Sequence, residues 1–319
     1  MNGVKRSPLF YVGDKYKLIR ELKEHFPRKI TRFIEPFVGG GSVFLNVNAD
    51  TYLLNDIDEN IKRLHEFLIK SSDNQKRFFE QTHFLIKRYN LSRSFFEDVV
   101  PKEMQRKWKK TYYAHYNKEG YKRMRDDFNS DKCDNDLILY LLLIYGFNRM
   151  LRFNSKGIFN LPVGNVDFNS NVVNALEYYF NFVKGKTISW SVLDFKDFIN
   201  SIDFKEGDFI YLDPPYLISF SEYNKLWNEN RERELLDTLD ALNKEGVRFA
   251  ISNMVSYKNR TNKIFQQWMR KYNAYKIKSN YISYHDNTKK ETFEVLVTNY
   301  EEKKSRIQTL AFYNNNEES

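Results

Sequence analysis

A doubly wound α/β sheet, broken by an inserted and mainly helical module, is the architecture this sequence predicts. Three observations predict it. Residues 1–60 run strand, glycine turn, strand, acid. Strand–helix alternation resumes after Lys184, and the stretch between is rich in charge and aromatic rings instead. Sheet signals at both ends of a chain imply one α/β domain with an insertion.

The elements follow in order. Leu18, Leu22 and Phe26 recur at fourfold spacing and Pro27 follows, which predicts an amphipathic helix over Lys15–Phe26. Arg32–Phe37 is a short apolar strand running into Gly39-Gly40-Gly41, and Tyr52-Leu53-Leu54 is a second, ending at Asn55-Asp56. A long apolar helix is expected near Leu137–Tyr145. Asn154-Ser155-Lys156-Gly157 reads as the turn of a hairpin between Arg152-Phe153 and Ile158-Phe159. Later strands are expected at Thr187–Trp190, Phe209–Leu212, Val247–Ser252 and Glu294–Thr298. A helix over Arg231–Glu245 places Leu235, Leu239 and Leu242 on one face and stops at Gly246. The expected partition is 1–60 and 169–319 for the α/β domain and 61–168 for the insert, with a frayed polar tail at Asn314–Ser319.

Composition narrows the function. Net charge is +9 over 319 residues, which favours a polyanionic partner. The excess is concentrated: between Lys76 and Arg125, 14 Lys/Arg stand against 5 Asp/Glu, although Asp126 and Asp127 follow at once. Trp108, Tyr112, Tyr113, Tyr116 and Tyr121 lie in the same stretch, and basic residues interleaved with rings grip phosphates and stack on bases. A solvated helix face would show the same charges. The single cysteine, Cys133, excludes an intramolecular disulfide and a thiolate zinc cluster. His25, His65, His83, His115 and His285 lack metal-ligand spacing, so each reads as a surface or core residue and no metal is expected. No apolar run approaches the ~20 residues that span a bilayer, and MNGVKRSPLF lacks an apolar signal core. A cytoplasmic protein, monomeric or weakly dimeric, without membrane or obligatory protein partner, is expected.

Two motifs carry chemistry. Asp213-Pro214-Pro215-Tyr216 follows the apolar strand Phe209–Leu212. Successive prolines force a rigid extended turn, and at a strand's carboxyl end it projects its flanking side chains into the ligand crevice of an open sheet. The Asp213 carboxylate and Pro214 carbonyl can accept the two hydrogens of an exocyclic amine, and Tyr216 offers a flat face to a planar base. Stacking needs the ring rather than the hydroxyl. The second motif is Phe37-Val38-Gly39-Gly40-Gly41-Ser42-Val43-Phe44, where bare backbone can meet a ligand closely. It is neither G-x-G-x-x-G nor a P-loop, which argues against a pyrophosphate. Asp56 ends the next strand, placed for ribose hydroxyls. A nucleoside without phosphates, such as S-adenosylmethionine, fits that pair.

Taken together, the glycine turn, the insert and Asp-Pro-Pro-Tyr resemble the alpha group of amino-methyltransferases, the Dam-like or D12 class of DNA N6-adenine methyltransferases. The resemblance covers nearly the whole chain. It implies a Rossmann-like methyltransferase sheet with an inserted target-recognition domain that carries the hairpin. Leu9–Lys15 resembles the family's cofactor segment Trp-x-Gly-Gly-Lys, with Tyr11 and Lys15 against the cofactor and Asp14 in place of the second glycine. Glu35 stands where the cofactor's ammonium group would be met. Asp194 and Phe195 stand where its adenine would be bonded and lined. Gly146–Pro162 resembles the recognition hairpin, which implies DNA contacts from Asn148, Met150, Arg152, Asn154, Lys156 and Pro162. In that match Arg152 reads a guanine, and Met150 and Pro162 flank a thymine methyl. Phe10 departs from the pattern, standing where some GATC-modifying members carry a base-contacting lysine.

The expected reaction is methylation of a flipped-out adenine in a short duplex site, GATC or a related one, as in restriction-modification systems. The alternatives are N4-cytosine methylation, which uses the same amine clamp, and a non-catalytic DNA-binding relative. The loop Ser219–Asn228 is expected to close over the flipped base.

Overall fold

The structure, a computed structural model, describes residues 3–219, 227–277 and 292–301. In chain order its helices are α1 (Ile19–Glu24), α2 (Glu59–Ser71), α3 (Gln75–Arg88), α4 (Lys102–Trp108), α5 (Tyr112–Ser130), α6 (Asp136–Tyr145), α7 (Ser170–Val183), α8 (Phe195–Asn200), α9 (Glu229–Lys244) and α10 (Lys263–Trp268). Its strands are β1 (Arg32–Glu35), β2 (Thr51–Asn55), β3 (Thr187–Ser191), β4 (Asp208–Leu212), β5 (Arg248–Tyr257), β6 (Arg260–Thr261), β7 (Asn273–Ile277) and β8 (Thr292–Thr298). These fall into two compact units. The helical unit comprises Met1–Tyr16, Gly39–Asn46 and Asp58–Lys186, and the sheet unit comprises Lys17–Val38, Val47–Ile57 and Thr187–Ser319. Contacts therefore cut the chain at other places than the expected 60/61 and 168/169 boundaries. One cut falls inside the Phe37–Ser42 motif.

In the sheet unit the strand order is β3-β2-β1-β4-β5-β8-β7, with β6 paired to β5. β3, β2, β1, β4 and β5 are mutually parallel, and β8 is antiparallel to both β5 and β7. A parallel strand covered on both faces should be apolar throughout, and all five residues of β4, Asp-Phe-Ile-Tyr-Leu, are buried. Its side chains alternate. Ile210 and Leu212 join Ile34, Phe195, Leu235, Leu239, Phe249, Ile251 and Trp268 in one core. On the other side Phe209 and Tyr211 meet Phe26, at ring-centroid distances of 4.9 and 5.3 Å. Arg32 binds Asp208 through both carboxylate oxygens, at 2.7 and 2.5 Å, where the β1–β4 register begins.

In the helical unit α6 is the centre. Every residue from Leu137 to Tyr145 is buried, as expected of a helix that is apolar all round. Its tyrosines still satisfy their hydroxyls: Tyr140 donates to the Pro8 carbonyl at 3.1 Å and Tyr145 to the Ser92 carbonyl at 2.5 Å. Side-chain oxygens of Asp58, Asn74, Asn135 and Asn169 cap α2, α3, α6 and α7, satisfying amides that the first helical turn leaves open.

Three expectations change. The helix expected over Lys15–Phe26 is only α1, because Asp14 Oδ1 accepts the Tyr16 amide at 3.1 Å and turns the preceding chain. β1 stops at Glu35 because Pro36 has no amide to give the sheet. The hairpin exists as one Phe153–Phe159 bridge rather than two strands. No helix among the described residues is long and apolar enough to cross a membrane.

Candidate active site

The sheet order reverses at β1: β2 and β3 lie to one side of it, and β4 and β5 to the other. Ligands of open α/β sheets bind beyond the carboxyl ends of such a pair. Arg32 pairs with Asp208, and Phe37 and Asp213 each stand five residues further along their strands, so the register carries the two motifs out side by side. Asp213 thus sits at the switch point, as its sequence context requires.

Its carboxylate is held before any substrate arrives. Ser252 Oγ, on β5, donates to Asp213 Oδ1 at 3.1 Å, and the Tyr216 hydroxyl stands 3.2 Å from the same oxygen. Ser252 is tied in turn to the Tyr211 hydroxyl at 2.8 Å. The Tyr216 hydroxyl also donates to Glu294 Oε1 on β8, at 2.5 Å. One phenolic proton serves two carboxylates, and the shorter contact claims it. The Tyr216 ring is buried with Ile218 and Met254. This corrects the reading of Tyr216 as a ring alone, because its hydroxyl fixes the ring's position. Pro214 is buried and Pro215 half-buried, consistent with a rigid turn.

Beside this clamp lies an aromatic cluster. Phe37, Phe195 and Trp227 meet at centroid distances of 5.6, 5.8 and 5.7 Å. Trp227 Nε1 donates to Glu232 Oε2 at 2.6 Å, and Glu232 Oε1 also accepts from Asn253 and Asn262 at 2.9 and 2.7 Å. Burial raises the Glu232 pKa, and those three donors pull it back. Glu35 is buried at the end of β1, and Asp56 is half-buried just past β2. Both carboxylate oxygens of Asp194 already have partners. One oxygen caps α8 at the Lys196 amide, 3.0 Å away, and the other meets the Arg231 guanidinium. Each carboxylate oxygen accepts two bonds, so room remains for an amine.

A residue to which the sequence assigned no role joins these loops. Asn55 Nδ2 donates to the carbonyls of Pro36 and Leu193, each at 3.0 Å, while its Oδ1 accepts the Leu193 amide at 2.9 Å. One buried side chain therefore clasps the segments leaving β1, β2 and β3.

The helical unit holds the other expected cofactor residues. A Cβ on Gly40 would stand 2.8 Å from the Tyr11 Cβ, so only glycine lets the turn lie against Tyr11. Gly41, at φ 78°, has no room either, since a Cβ there would meet Phe44 and His65 at 2.4 and 2.8 Å. Tyr11, Lys15 and Ser42 are buried and Gly39 is partly exposed. His65 braces the turn: Nε2 reaches the Gly39 carbonyl at 3.2 Å and Nδ1 the Tyr179 hydroxyl at 3.0 Å. A carbonyl only accepts, so the neutral ring carries its proton on Nε2. Read from sequence as an ordinary histidine, His65 is a support of the glycine turn.

The DNA candidates also share this unit. Arg152 Nε and Nη2 donate to Asn160 Oδ1 and carbonyl at 2.8 and 2.7 Å across the hairpin. Asn154 Oδ1 accepts the amides of Lys156 and Ile158 at 2.9 and 3.0 Å, building the turn. Asn148, Asn154, Lys156 and Pro162 are exposed, and Met150 and Arg152 half-buried. Residues 220–226 of the expected closing loop lie outside the described residues.

His65 yields a pH prediction. Burial pulls its pKa from 6.5 down to about 4, against the opposing pull of the Gly39 carbonyl. The unfolded chain therefore takes a proton that the fold refuses. Stability is indifferent to His65 above about pH 7. It falls as pH drops through 6.5, and the loss, about 2–4 kcal/mol, is complete below about pH 4. Urea unfolding of the wild type and His65→Gln at about pH 7.5 and about pH 5 measures it. The wild type should lose more stability between the two values than the variant does. An equal loss would acquit His65.

Residues 11–283 match the family model described as D12 class N6 adenine-specific DNA methyltransferase. The type II methyltransferase M.FokI of Planomicrobium okeanokoites is 33% identical over 308 residues, 94% of this chain and 43% of that protein. Modification methylase StsI of Streptococcus sanguinis is 33% identical over 313 residues, 93% of this chain and 43% of that protein. A DNA adenine methylase of Haemophilus influenzae is 28% identical over 256 residues, 78% and 79% of the two chains. The chain spans less than half the length of M.FokI and StsI, and most of the Haemophilus enzyme. With the model matching well over half of its residues, this chain belongs to the family of D12 class N6 adenine-specific DNA methyltransferases.

Proposed function

We propose that this chain methylates the N6 amine of adenine in duplex DNA at a specific short site, with S-adenosylmethionine as donor. The observation that carries the reading is the amine clamp. A carboxylate at the switch point, already oriented by the Ser252 hydroxyl, stands beside a ring whose own hydroxyl is anchored on Glu294. The Asp213 carboxylate and Pro214 carbonyl accept the two hydrogens of N6 and turn its lone pair outward. Tyr216 stacks on the flipped base. S-adenosylmethionine, when bound, supplies an electrophilic methyl on sulfur. Most of the acceleration then comes from positioning and preset dipoles. Asp213 need not remove a proton first, because the methylated amine loses it readily.

The chain's residues fit that donor. Gly40 and Gly41 pack bare backbone against Tyr11, Phe44 and His65, which fixes the turn on which the donor is proposed to lie. Tyr11, Lys15, Gly39, Gly40, Gly41 and Ser42 are proposed for it from the helical unit. Glu35, Phe37, Asp56, Asp194, Phe195 and Asp213 are proposed from the sheet unit. For DNA we propose Asn148, Met150, Arg152, Asn154, Lys156 and Pro162, with the exposed Arg106, Lys107, Lys109 and Lys110 around α4 gripping phosphate. Trp108, stacked on His115 at 3.5 Å, is rigid enough to stand among them. A site of GATC type, a cytoplasmic setting and a monomer or weak dimer complete the reading.

The clamp gives a direct test. Asp213→Ala should abolish methyl transfer to plasmid DNA while DNA binding stays within about threefold. Tyr216→Phe keeps the ring but strips Glu294 and Asp213 of a hydroxyl, so transfer should fall about 10–100-fold, as loss of a hydrogen bond to a charged group implies. Mapping methylated adenines in DNA from expressing cells identifies the site. Near-normal turnover by Asp213→Ala would sink the assignment.

A second test separates readout from grip. Arg152→Ala should cost about 1–3 kcal/mol on cognate DNA and relax preference at one base pair. Neutralising Lys107 or Lys109 should weaken every sequence alike and flatten the salt dependence by about one unit of slope. Binding of each variant to cognate and single-mismatch duplexes across a salt series distinguishes the two. A uniform loss from Arg152→Ala would show that the hairpin does not read sequence.

A further inference from the structure

Two guanidinium groups meet on one phenylalanine ring in the helical unit. Arg149 Cζ lies 4.3 Å from the Phe10 ring centroid and Arg6 Cζ lies 4.6 Å from it. The backbone that brings them there is strained. Phe10, Asn148 and Arg149 hold φ of 48°, 53° and 51° without being glycine, a left-handed region that crowds a side chain's Cβ against the backbone. Such conformations persist where the surrounding structure enforces them, and they gather at ligand clamps.

What the strain holds in place is a cation without a counter-ion. Arg149 Nε is buried with no hydrogen-bond partner, and its guanidinium has no ion pair among the described residues. Burial, with Arg6 second, lowers the Arg149 pKa to about 10. The carboxylate at the cluster is Asp14, with Oδ2 4.0 Å from Arg6 Nε, and burial pushes Asp14 towards its neutral form. Two guanidiniums facing one weakened carboxylate leave net positive charge in a partly dry place. An anion can reach it, because the Arg6 side chain is 43% exposed and Phe147 and Asn148 are exposed next to Arg149 in the chain.

We propose that Arg149 and Arg6, stacked on Phe10, form a clamp for one phosphodiester of the DNA backbone. The inference rests on the DNA reading above. Planar guanidiniums match the paired oxygens of a phosphate, and a phosphate supplies both the missing charge and an acceptor for Nε. Position in the chain favours DNA as its source. Arg149 lies between Asn148 and Met150, both already proposed to contact the duplex, and is a member of that Gly146–Pro162 stretch to which no contact had been assigned.

The test compares wild type with Arg149→Gln, Arg149→Lys and Arg6→Gln. A short duplex carrying the methylated site is bound across a salt series by fluorescence anisotropy, and S-adenosylmethionine affinity is measured by calorimetry. Arg149→Gln should weaken DNA binding about tenfold, as loss of a charge-assisted bond implies, and lower the salt slope by about one. Arg149→Lys should keep the slope while losing affinity, since charge is retained without the fork. Arg6→Gln, at the more exposed position, should lower the slope by about one as well, which keeps the idea testable if Arg149→Gln misfolds. Donor affinity should be unchanged throughout. Wild-type slope and affinity in both glutamine variants would overturn the clamp. So would weakened donor binding with DNA binding intact, which would make the anion the donor's carboxylate. A wild type that binds no DNA would instead remove the functional reading itself.

Discussion

The parallel pairing of β1 with β4 is the constraint on which the catalytic arrangement depends. A strand of a parallel sheet delivers its active residues in the loop beyond its end, where the ladder no longer specifies position. Here the β1–β4 register is fixed from behind, and the segments that leave β1 and β3 are tied from ahead. The Arg32–Asp208 pair locks the amino ends of the two strands, and removal of either partner would strand a half-buried charge. At the carboxyl ends, Asn55 bonds three backbone groups from neighbouring loops. A one-residue slip of β4 would turn Asp213 to the opposite face and pull Asp208 away from Arg32.

Hydrogen bonding then converts position into readiness. Asp213 is oriented by the Ser252 hydroxyl on β5, so its direction is set in advance. Preset dipoles act without reorganising in the transition state, which is where their catalytic value lies. Glu294 does for Tyr216 what Ser252 does for Asp213, and Glu232 does it for Trp227. Glu232 divides its acceptors, one oxygen taking Trp227 and the other taking Asn253 on β5 and Asn262, so the indole is tied through it to the sheet.

The sequence made some of this legible and hid the rest for a physical reason. Asp213 and Tyr216 could be found because two prolines after an apolar strand leave few conformations open. The glycines could be found because bare backbone has few uses, and collisions of 2.8 and 2.4 Å at Gly40 and Gly41 show why no other residue serves. Asn55, Ser252, His65 and Glu294 could not be found. Their partners lie far along the chain: His65 works through Tyr179, Asn55 through Leu193, and Glu294 through Tyr216. Such pairs leave no local pattern. β7 escaped for another reason. Its sequence, Asn-Ala-Tyr-Lys-Ile, is polar because it ends the sheet order, and an edge strand carries charge to discourage further pairing.

The recognition hairpin shows how a loop can be both fixed and available. Asn154 spends its side-chain carbonyl on the turn amides, so the amide nitrogen is the part of it suited to DNA. Arg152 is held at Nε and Nη2 by Asn160, which leaves Nη1 to address a base edge without the full entropic loss of ordering a long side chain, about 1.5–2 kcal/mol. That division of labour favours a reader whose direction is set by its neighbours. Arg149 presents the opposite case. Its neighbours supply strain, an aromatic floor and a second positive charge but no acceptor, and a group in that state gains most from an arriving anion. On the proposed DNA reading, the hairpin arginine is arranged for discrimination and Arg149 for affinity.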